Sequence, residues 1–100
     1  MRKATLLYLE SELYHHDENK RLIENDLLND RQRKRITEEV RAVDRLYNSV
    51  HKDMKLLIEL RYFQKASWEG VADALGISKI SCYKLRRIFI EKLADKLGMI

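Results

Sequence analysis

Helix breakers are missing from most of this 100-residue chain. It contains no proline, and its three glycines, Gly70, Gly76 and Gly98, all lie in the last third. Proline and glycine are the strongest local terminators of regular structure. The sequence shows no strand-like alternation and no internal repeat. We therefore expect an all-α fold, and the length allows one domain or one small domain with a helical extension.

Composition excludes several classes of protein. The charged fraction of 36% exceeds the usual ~25%. Such a high charged fraction is typical of narrow helices with much solvated surface. The single cysteine, Cys82, cannot form an intramolecular disulfide, and no Cys/His set predicts a zinc site. No apolar run approaches the ~18 residues of a membrane span, and Glu10 ends the first run too early for a signal peptide. This composition favours a cytoplasmic protein with a reduced cysteine and without a metal or other cofactor.

Positive charge is concentrated in the second half of the sequence. Residues 1–50 hold 10 basic and 10 acidic side chains, whereas residues 51–100 hold 10 basic and 6 acidic ones. The net charge of +4 therefore lies in residues 51–100. A localised basic stripe attracts a polyanion, most often nucleic acid or an anionic membrane. The alternative is a solvated helix face.

Four helices are predicted before the last third. Apolar spacing places them at about residues 3–15, 17–28, 31–50 and 52–63. The first has Leu6, Leu9 and Leu13 on one face, and the second has Ile23 and Leu27 directed inward. A polar stretch over residues 15–19 predicts a break, and Asn29-Asp30 predicts a turn or an N-cap.

The third predicted helix carries a heptad-like seam. Its members are Ile36, Val40, Val43, Tyr47 and Val50, spaced four, three, four and three residues apart. Such a seam packs on a neighbouring helix of the same chain or on a second copy of the chain. Both alternatives stay open at this point, and the second would make the protein a homodimer.

A capped helix pair is predicted in the last third. Ser67 is a good N-cap for a short amphipathic helix over residues 68–75. Gly76 follows at once, where a left-handed residue commonly ends a helix. Ser78 can cap a second helix over residues 79–97. This order is the sequence form of a helix-turn-helix.

The second helix of this pair has two different faces. Cys82, Leu85 and Phe89, spaced three and four residues apart, form a predicted buried stripe. The residues expected to face duplex DNA are Ser78, Lys79, Ile80, Ser81, Tyr83, Lys84 and Arg87. In the major groove Lys and Arg bind guanine, and Ile contacts the thymine methyl. The basic residues better placed for phosphates are Arg86, Arg87 and Lys92. For Tyr83, an intramolecular contact stays open as an alternative.

Several segments carry a family resemblance. They are Leu60-Arg61-Tyr62-Phe63, Ser67-Trp68-Glu69-Gly70-Val71-Ala72, Leu75-Gly76-Ile77-Ser78, Lys92-Leu93-Ala94 and Leu97-Gly98. They resemble the C-terminal module of small phage transcriptional activators of the RinA/ArpU type, which is similar to the promoter-binding region 4 of sigma factors. The resemblance covers residues 52–98 and implies late-gene activation in a phage or prophage of Gram-positive bacteria. Ile80 and Tyr83 depart from the sigma-like pattern, which affects the base preference.

We therefore expect a sequence-specific transcription regulator that binds duplex DNA in the cytoplasm of a bacterial host cell. Residues 1–50 would be a helical packing or oligomerisation part, and residues 51–100 the DNA-binding module. Expected partners are double-stranded DNA, RNA polymerase and a second copy of the chain, but no membrane. The alternative function is DNA recognition for packaging, as in a small terminase subunit. No convergent set of acid, base and nucleophile predicts an enzyme.

Other conspicuous residues have plainer interpretations. His15 and His16 point to different sides of a helix, which favours a solvated polar linker over a metal site. Cys82 is expected to be a small buried hydrophobe rather than a redox sensor, and Trp68 to pack on the fourth helix. The basic run at residues 31–35 is a solvated helix start or a second phosphate-binding patch. Helical rotation spreads its charges, which favours the solvated start.

Overall fold

The computed structural model describes residues 1–25 and 28–99, and these are helical almost throughout. This described part contains six α-helices and no strand, which confirms the predicted all-α fold. The helices are α1 (Lys3–Tyr14), α2 (His16–Glu24), α3 (Asp30–Ser49), α4 (Lys52–Ile58), α5 (Trp68–Leu75) and α6 (Lys79–Lys96). A π-helical segment, Glu59–Phe63, continues α4 directly.

Helix α2 follows α1 almost directly, and the start of α3 is fixed by local hydrogen bonds. Only His15 separates α1 from α2, so the predicted break is shorter than expected. Asn29 caps α3: its side chain accepts from the Gln32 N–H at 2.8 Å, and the Gln32 side chain accepts from the Asn29 N–H at 3.3 Å. This capping box satisfies two of the amide groups that a helix start leaves free. The expected inward position of Leu27 lies outside the described residues.

One hydrophobic core joins the two halves of the chain. Its buried members include Leu9, Leu13, Val43, Leu46, Leu57, Ile58, Tyr62, Val71, Phe89, Ile90 and Leu93. Helix α6 packs against α1, α3, α4 and α5. The predicted division after residue 50 therefore falls between two helices that share this core.

The seam of α3 lies within the chain. Ile36, Val40 and Val43 are buried, and Tyr47 and Val50 are partly buried against the core. Intrachain packing, one of the two alternatives, is thus confirmed for this seam. A second copy of the chain would have to bind elsewhere.

His16 departs from its sequence interpretation. The residue is 2% exposed, its ring stacks on Phe63 with 5.3 Å between centroids, and its Nε2 lies 2.9 Å from Asp44 Oδ1. The solvated-linker prediction is therefore wrong for His16, because α3 and the end of the α4 continuation supply both an apolar face and a polar partner. His15 stays exposed. In the described part of the chain, no group of three or more His, Cys, Asp or Glu side chains is placed to hold a metal ion.

Candidate nucleic-acid interface

A short connection joins α5 to α6, and its backbone is fixed by glycine. Gly76 has φ +68°, a left-handed conformation that L side chains rarely adopt. Its N–H donates to the Asp73 carbonyl at 3.3 Å, and the Ile77 N–H donates to the Ala72 carbonyl at 3.2 Å. These are the two hydrogen bonds of a Schellman motif. The predicted helix end at Gly76 is confirmed.

Serine residues cap both helices of the pair. The Ser67 Oγ accepts from the Gly70 N–H at 3.1 Å. The Ser78 Oγ accepts from the Ser81 N–H at 3.1 Å and donates to the Ser81 Oγ at 3.0 Å. Both predicted N-caps are confirmed, so the hydroxyl of Ser78 already serves the backbone of α6.

The first half of α6 has one buried and one exposed side. Cys82 and Phe89 are fully buried, as predicted, and burial raises the pKa of the Cys82 thiol. Ile80 is 66% exposed, and Lys84 and Arg87 are exposed on the same side, four and seven residues further along. An exposed isoleucine therefore lies among cations on an open helix face.

The residues predicted to face DNA are mostly at this surface. The exposed ones are Ser78, Lys79, Ile80, Tyr83, Lys84 and Arg87, and Ser81 is half-buried. Lys79 Nζ lies 3.1 Å from Glu69 Oε1, a hydrogen bond that raises the pKa of Lys79, and Arg87 Nε lies 2.9 Å from Glu91 Oε1. Exposed ion pairs are weak, so a phosphate could replace either carboxylate. Lys84 forms no ion pair with the described residues.

Arg86 is placed differently from the other predicted DNA ligands. Its Nη1 lies 3.3 Å from Glu10 Oε2 on α1, and its side chain is 23% exposed. The guanidinium also lies over the rings of Trp68 and Tyr83, at 5.6 and 5.4 Å from the centroids. Arg86 thus makes its contacts within the chain, and its predicted role on phosphates stays a prediction.

Trp68 lies at the centre of a stack of cations and rings. Arg61 covers it at 4.7 Å from the ring centroid, and Tyr83 meets it edge-on at 5.1 Å. Tyr62, which the α4 continuation supplies, meets it edge-on at 6.5 Å. The predicted packing role of Trp68 is confirmed. Tyr83 has an intramolecular contact and is still 36% exposed.

The outer face of α3 is a basic surface that extends beyond the run at residues 31–35. Its exposed cations are Arg31, Lys34, Arg35, Arg41 and Arg45, and we call this set the α3 basic face. Glu38 is an acidic side chain exposed within this face, and the exposed Asp30, four residues before Lys34, borders it. Arg33 turns away and donates to the Ile23 carbonyl at 3.1 Å. In the sequence these cations are spaced three, four and seven residues apart, which is typical of one helix face. The run at residues 31–35, considered alone, distributes its charges around the helix axis.

Glu39 leaves this face and turns inward. It is 8% exposed, and its Oε1 accepts a hydrogen bond from the Tyr8 hydroxyl on α1. Its Oε2 has no hydrogen-bond partner among the described residues. Burial, reinforced by the nearby Glu12 carboxyl, raises the pKa of Glu39 to about 7. Glu39 therefore carries only part of a negative charge near neutral pH.

Comparisons with known proteins give a family but no function. None of the helices in the described ranges is long and apolar enough to cross a membrane. Neither the curated proteins nor the solved structures gave a match. A family described as "Protein of unknown function (DUF722)" matches residues 10–95. Because this range runs from the middle of α1 to the last turn of α6, the chain belongs to that family.

Proposed function

We propose that this protein is a sequence-specific transcription regulator in which α5 and α6 form a DNA-binding helix-turn-helix. One observation carries the proposal: Ile80 is 66% exposed on the first turn of α6, with Lys84 and Arg87 on the same side. In a helix that enters the major groove, N-terminal residues contact base edges. There an isoleucine can cover a thymine methyl while lysine or arginine binds guanine.

The charges of α6 support the same proposal. Lys84 has no ion pair with described residues, and those of Lys79 and Arg87 are exposed and weak. Cations that replace condensed counterions on the duplex give an affinity that falls with salt. Tyr83, held edge-on against Trp68, adds a fixed ring at the margin of this surface.

A single helix-turn-helix touches few base pairs, so specificity requires a further contact. We propose RNA polymerase or a second copy of the chain as that partner. Since the α3 seam is buried in the chain, a dimer would use another surface. The resemblance of residues 52–98 to RinA/ArpU-type activators supports a role in late-gene activation of a phage or prophage, in the cytoplasm of its bacterial host.

The test is selection from a random pool of duplex DNA at near-physiological salt. The wild-type protein should enrich one short motif. The variant Lys84→Gln/Arg87→Gln should bind this motif at least about 10-fold more weakly, since two base or phosphate contacts are removed. The matched control Arg21→Gln/Lys52→Gln removes the same charge from exposed positions on α2 and α4 and should bind nearly as well as wild type. Melting temperatures should stay close to wild type for both variants.

Two results would contradict the proposal. Equal loss of affinity in the variant and the control would show that only net charge matters and that the α6 surface does not read DNA. Salt-sensitive binding without an enriched motif would favour the packaging alternative, DNA recognition by a small terminase subunit.

A further inference from the structure

The α3 basic face is a charged feature that the proposed function does not use. Arg31 and Arg45 lie at its two ends, about 21 Å apart along the helix axis. That length corresponds to about six base pairs of duplex at 3.4 Å each. The side chains of Arg31, Lys34, Arg41 and Arg45 form no hydrogen bond or ion pair with the described residues. These cations are therefore available to an anionic partner.

The α3 basic face lies beside the end of α6 that is opposite to Ile80. In a projection down the axis of α6, the positions of Lys92 and Lys96 are rotated by about 120° and 160° from that of Ile80. Lys92 shares a surface groove with Leu46 of α3, and Lys96 shares another with Arg45. Arg41 and Arg45 thus lie beside the last turn of α6, about 24 Å along the helix axis from Ile80. A duplex segment held across the first turn of α6 leaves these cations to another segment.

The chemistry of the face favours nucleic acid over protein. The exposed large hydrophobic side chains of the described chain belong to other elements, such as Leu7 on α1 and Ile88 on α6. Protein interfaces contain an apolar and aromatic core. Nucleic-acid interfaces are polar and strongly basic. A basic stripe without an exposed aromatic or aliphatic anchor matches a phosphate backbone.

We infer that the α3 basic face is a second DNA surface, which binds the phosphate backbone of a separate duplex segment without reading its sequence. The protein would hold one segment against α6 and another against α3, and so join two pieces of DNA. The joining of two segments rests on the proposed function, because α6 must bind one of them. The contact between α3 and DNA does not rest on it.

Salt dependence tests the contact at α3. The probe is a short duplex of arbitrary sequence, bound to the variant Arg41→Gln/Arg45→Gln and to the control Arg21→Gln/Lys52→Gln. Because each lost phosphate contact changes the slope of log K against log salt by about 0.9, the α3 variant should lose about 2 units of slope. The control should keep the wild-type slope. Identical slopes for the two variants would overturn the inference.

A capture experiment tests the joining of two segments. One duplex is immobilised, protein is added, and retention of a second, fluorescent duplex is measured. Wild type and control should retain it, and Arg41→Gln/Arg45→Gln should lose most of the retention while still binding the immobilised duplex. Full retention by that variant would contradict the inference. A difference between variants that is seen with polyglutamate but not with duplex DNA would assign the face to an acidic protein and overturn it as well.

The two proposals fail in different ways. If Lys84→Gln/Arg87→Gln binds DNA like its control while Arg41→Gln/Arg45→Gln does not, the proposed role of α6 is wrong and the contact at α3 stands. If only the α6 variant loses binding, the proposed function stands and the second surface is wrong.

Discussion

Glu10 and Arg86, 76 positions apart in sequence, meet with 3.3 Å between Oε2 and Nη1. The same Glu10 oxygen accepts a hydrogen bond from the Tyr62 hydroxyl at 2.7 Å. Tyr62 is fully buried, and burial together with this carboxylate raises the pKa of its hydroxyl. One carboxylate on α1 therefore holds both α6 and the continuation of α4.

Replacing Glu10 should destabilise the whole chain. Glu10→Ala leaves the buried Tyr62 hydroxyl and the Arg86 guanidinium without this acceptor, which we expect to lower the free energy of unfolding by about 2–3 kcal/mol. Tyr62→Phe removes only one of the two hydrogen bonds and should lower it by about 1 kcal/mol. Urea unfolding measures both. A Glu10→Ala variant as stable as wild type would show that this contact is not formed in solution.

The conformation of Gly76 predicts opposite effects for alanine at two glycines. A Cβ at Gly76 meets nothing within 4 Å, so Gly76→Ala introduces only left-handed backbone strain and should destabilise by about 1–2 kcal/mol. A Cβ at Gly70 lies at an ordinary 3.4 Å from Ser67 Oγ. Because that site is helical, Gly70→Ala should be neutral or stabilising by up to about 1 kcal/mol. Urea midpoints that rank the two variants in the reverse order would show that the turn is built differently.

Burial of Glu39 predicts a pH dependence of stability. Its pKa is raised from the usual 4.5 to about 7 in the folded chain, so the folded state binds the proton more tightly than the unfolded state. Its contribution to stability is therefore present below about pH 4.5 and is lost as the pH rises towards 7. Glu39→Gln keeps an acceptor for Tyr8 but cannot ionise. This variant should match wild type near pH 4 and exceed it near pH 8, by about 1–3 kcal/mol.

The measurement for Glu39 is urea unfolding of wild type and variant at several pH values. Groups that do not interact with Glu39 titrate alike in the two proteins, so the difference in unfolding free energy reports Glu39 together with its neighbours Tyr8 and Glu12. A difference that stays constant between about pH 5 and 8 would mean that Glu39 is ionised in the folded state throughout.

The thiol of Cys82 should react slowly in the folded protein. It is fully buried and its pKa is raised by burial, so both access and the thiolate fraction are low. We expect maleimide labelling at neutral pH at least about 100-fold slower than in urea, since labelling requires an opening of several kcal/mol. The control is Ser11→Cys in a Cys82→Ala background, because Ser11 is exposed on α1. Equal rates at the two positions would mean that α6 is rotated from the described orientation.

Features set by a few adjacent residues could be predicted from the sequence. The caps at Ser67 and Ser78, the turn at Gly76 and the start of α3 after Asn29 are all confirmed. Each depends on a side chain and a backbone group within three residues, so the sequence contains the whole interaction. The buried side of α6 at Cys82 and Phe89 could be predicted for a similar reason, because it repeats with the helix period.

Features set by distant partners could not be predicted in this way. The contact of Arg86 with Glu10 joins residues that are remote in sequence. The same holds for the contacts of His16 with Asp44 and Phe63. The extent of the α3 basic face beyond residues 31–35 could not be predicted for a different reason. Residues 1–50 have no net charge, and only the fold shows that Glu39 points inward while the cations point outward.

The shared core also sets limits on how α6 could fit a binding site. Phe89, Ile90 and Leu93 of α6 pack among side chains from α1, α3 and α4, and close-packed interiors do not deform continuously. Under the proposed function, α6 cannot slide or turn to follow an irregular groove, so the duplex must supply the adjustment. Flexible pyrimidine–purine steps would then favour binding at positions that no side chain touches. Part of the specificity of this small protein would reside in the stiffness of its target.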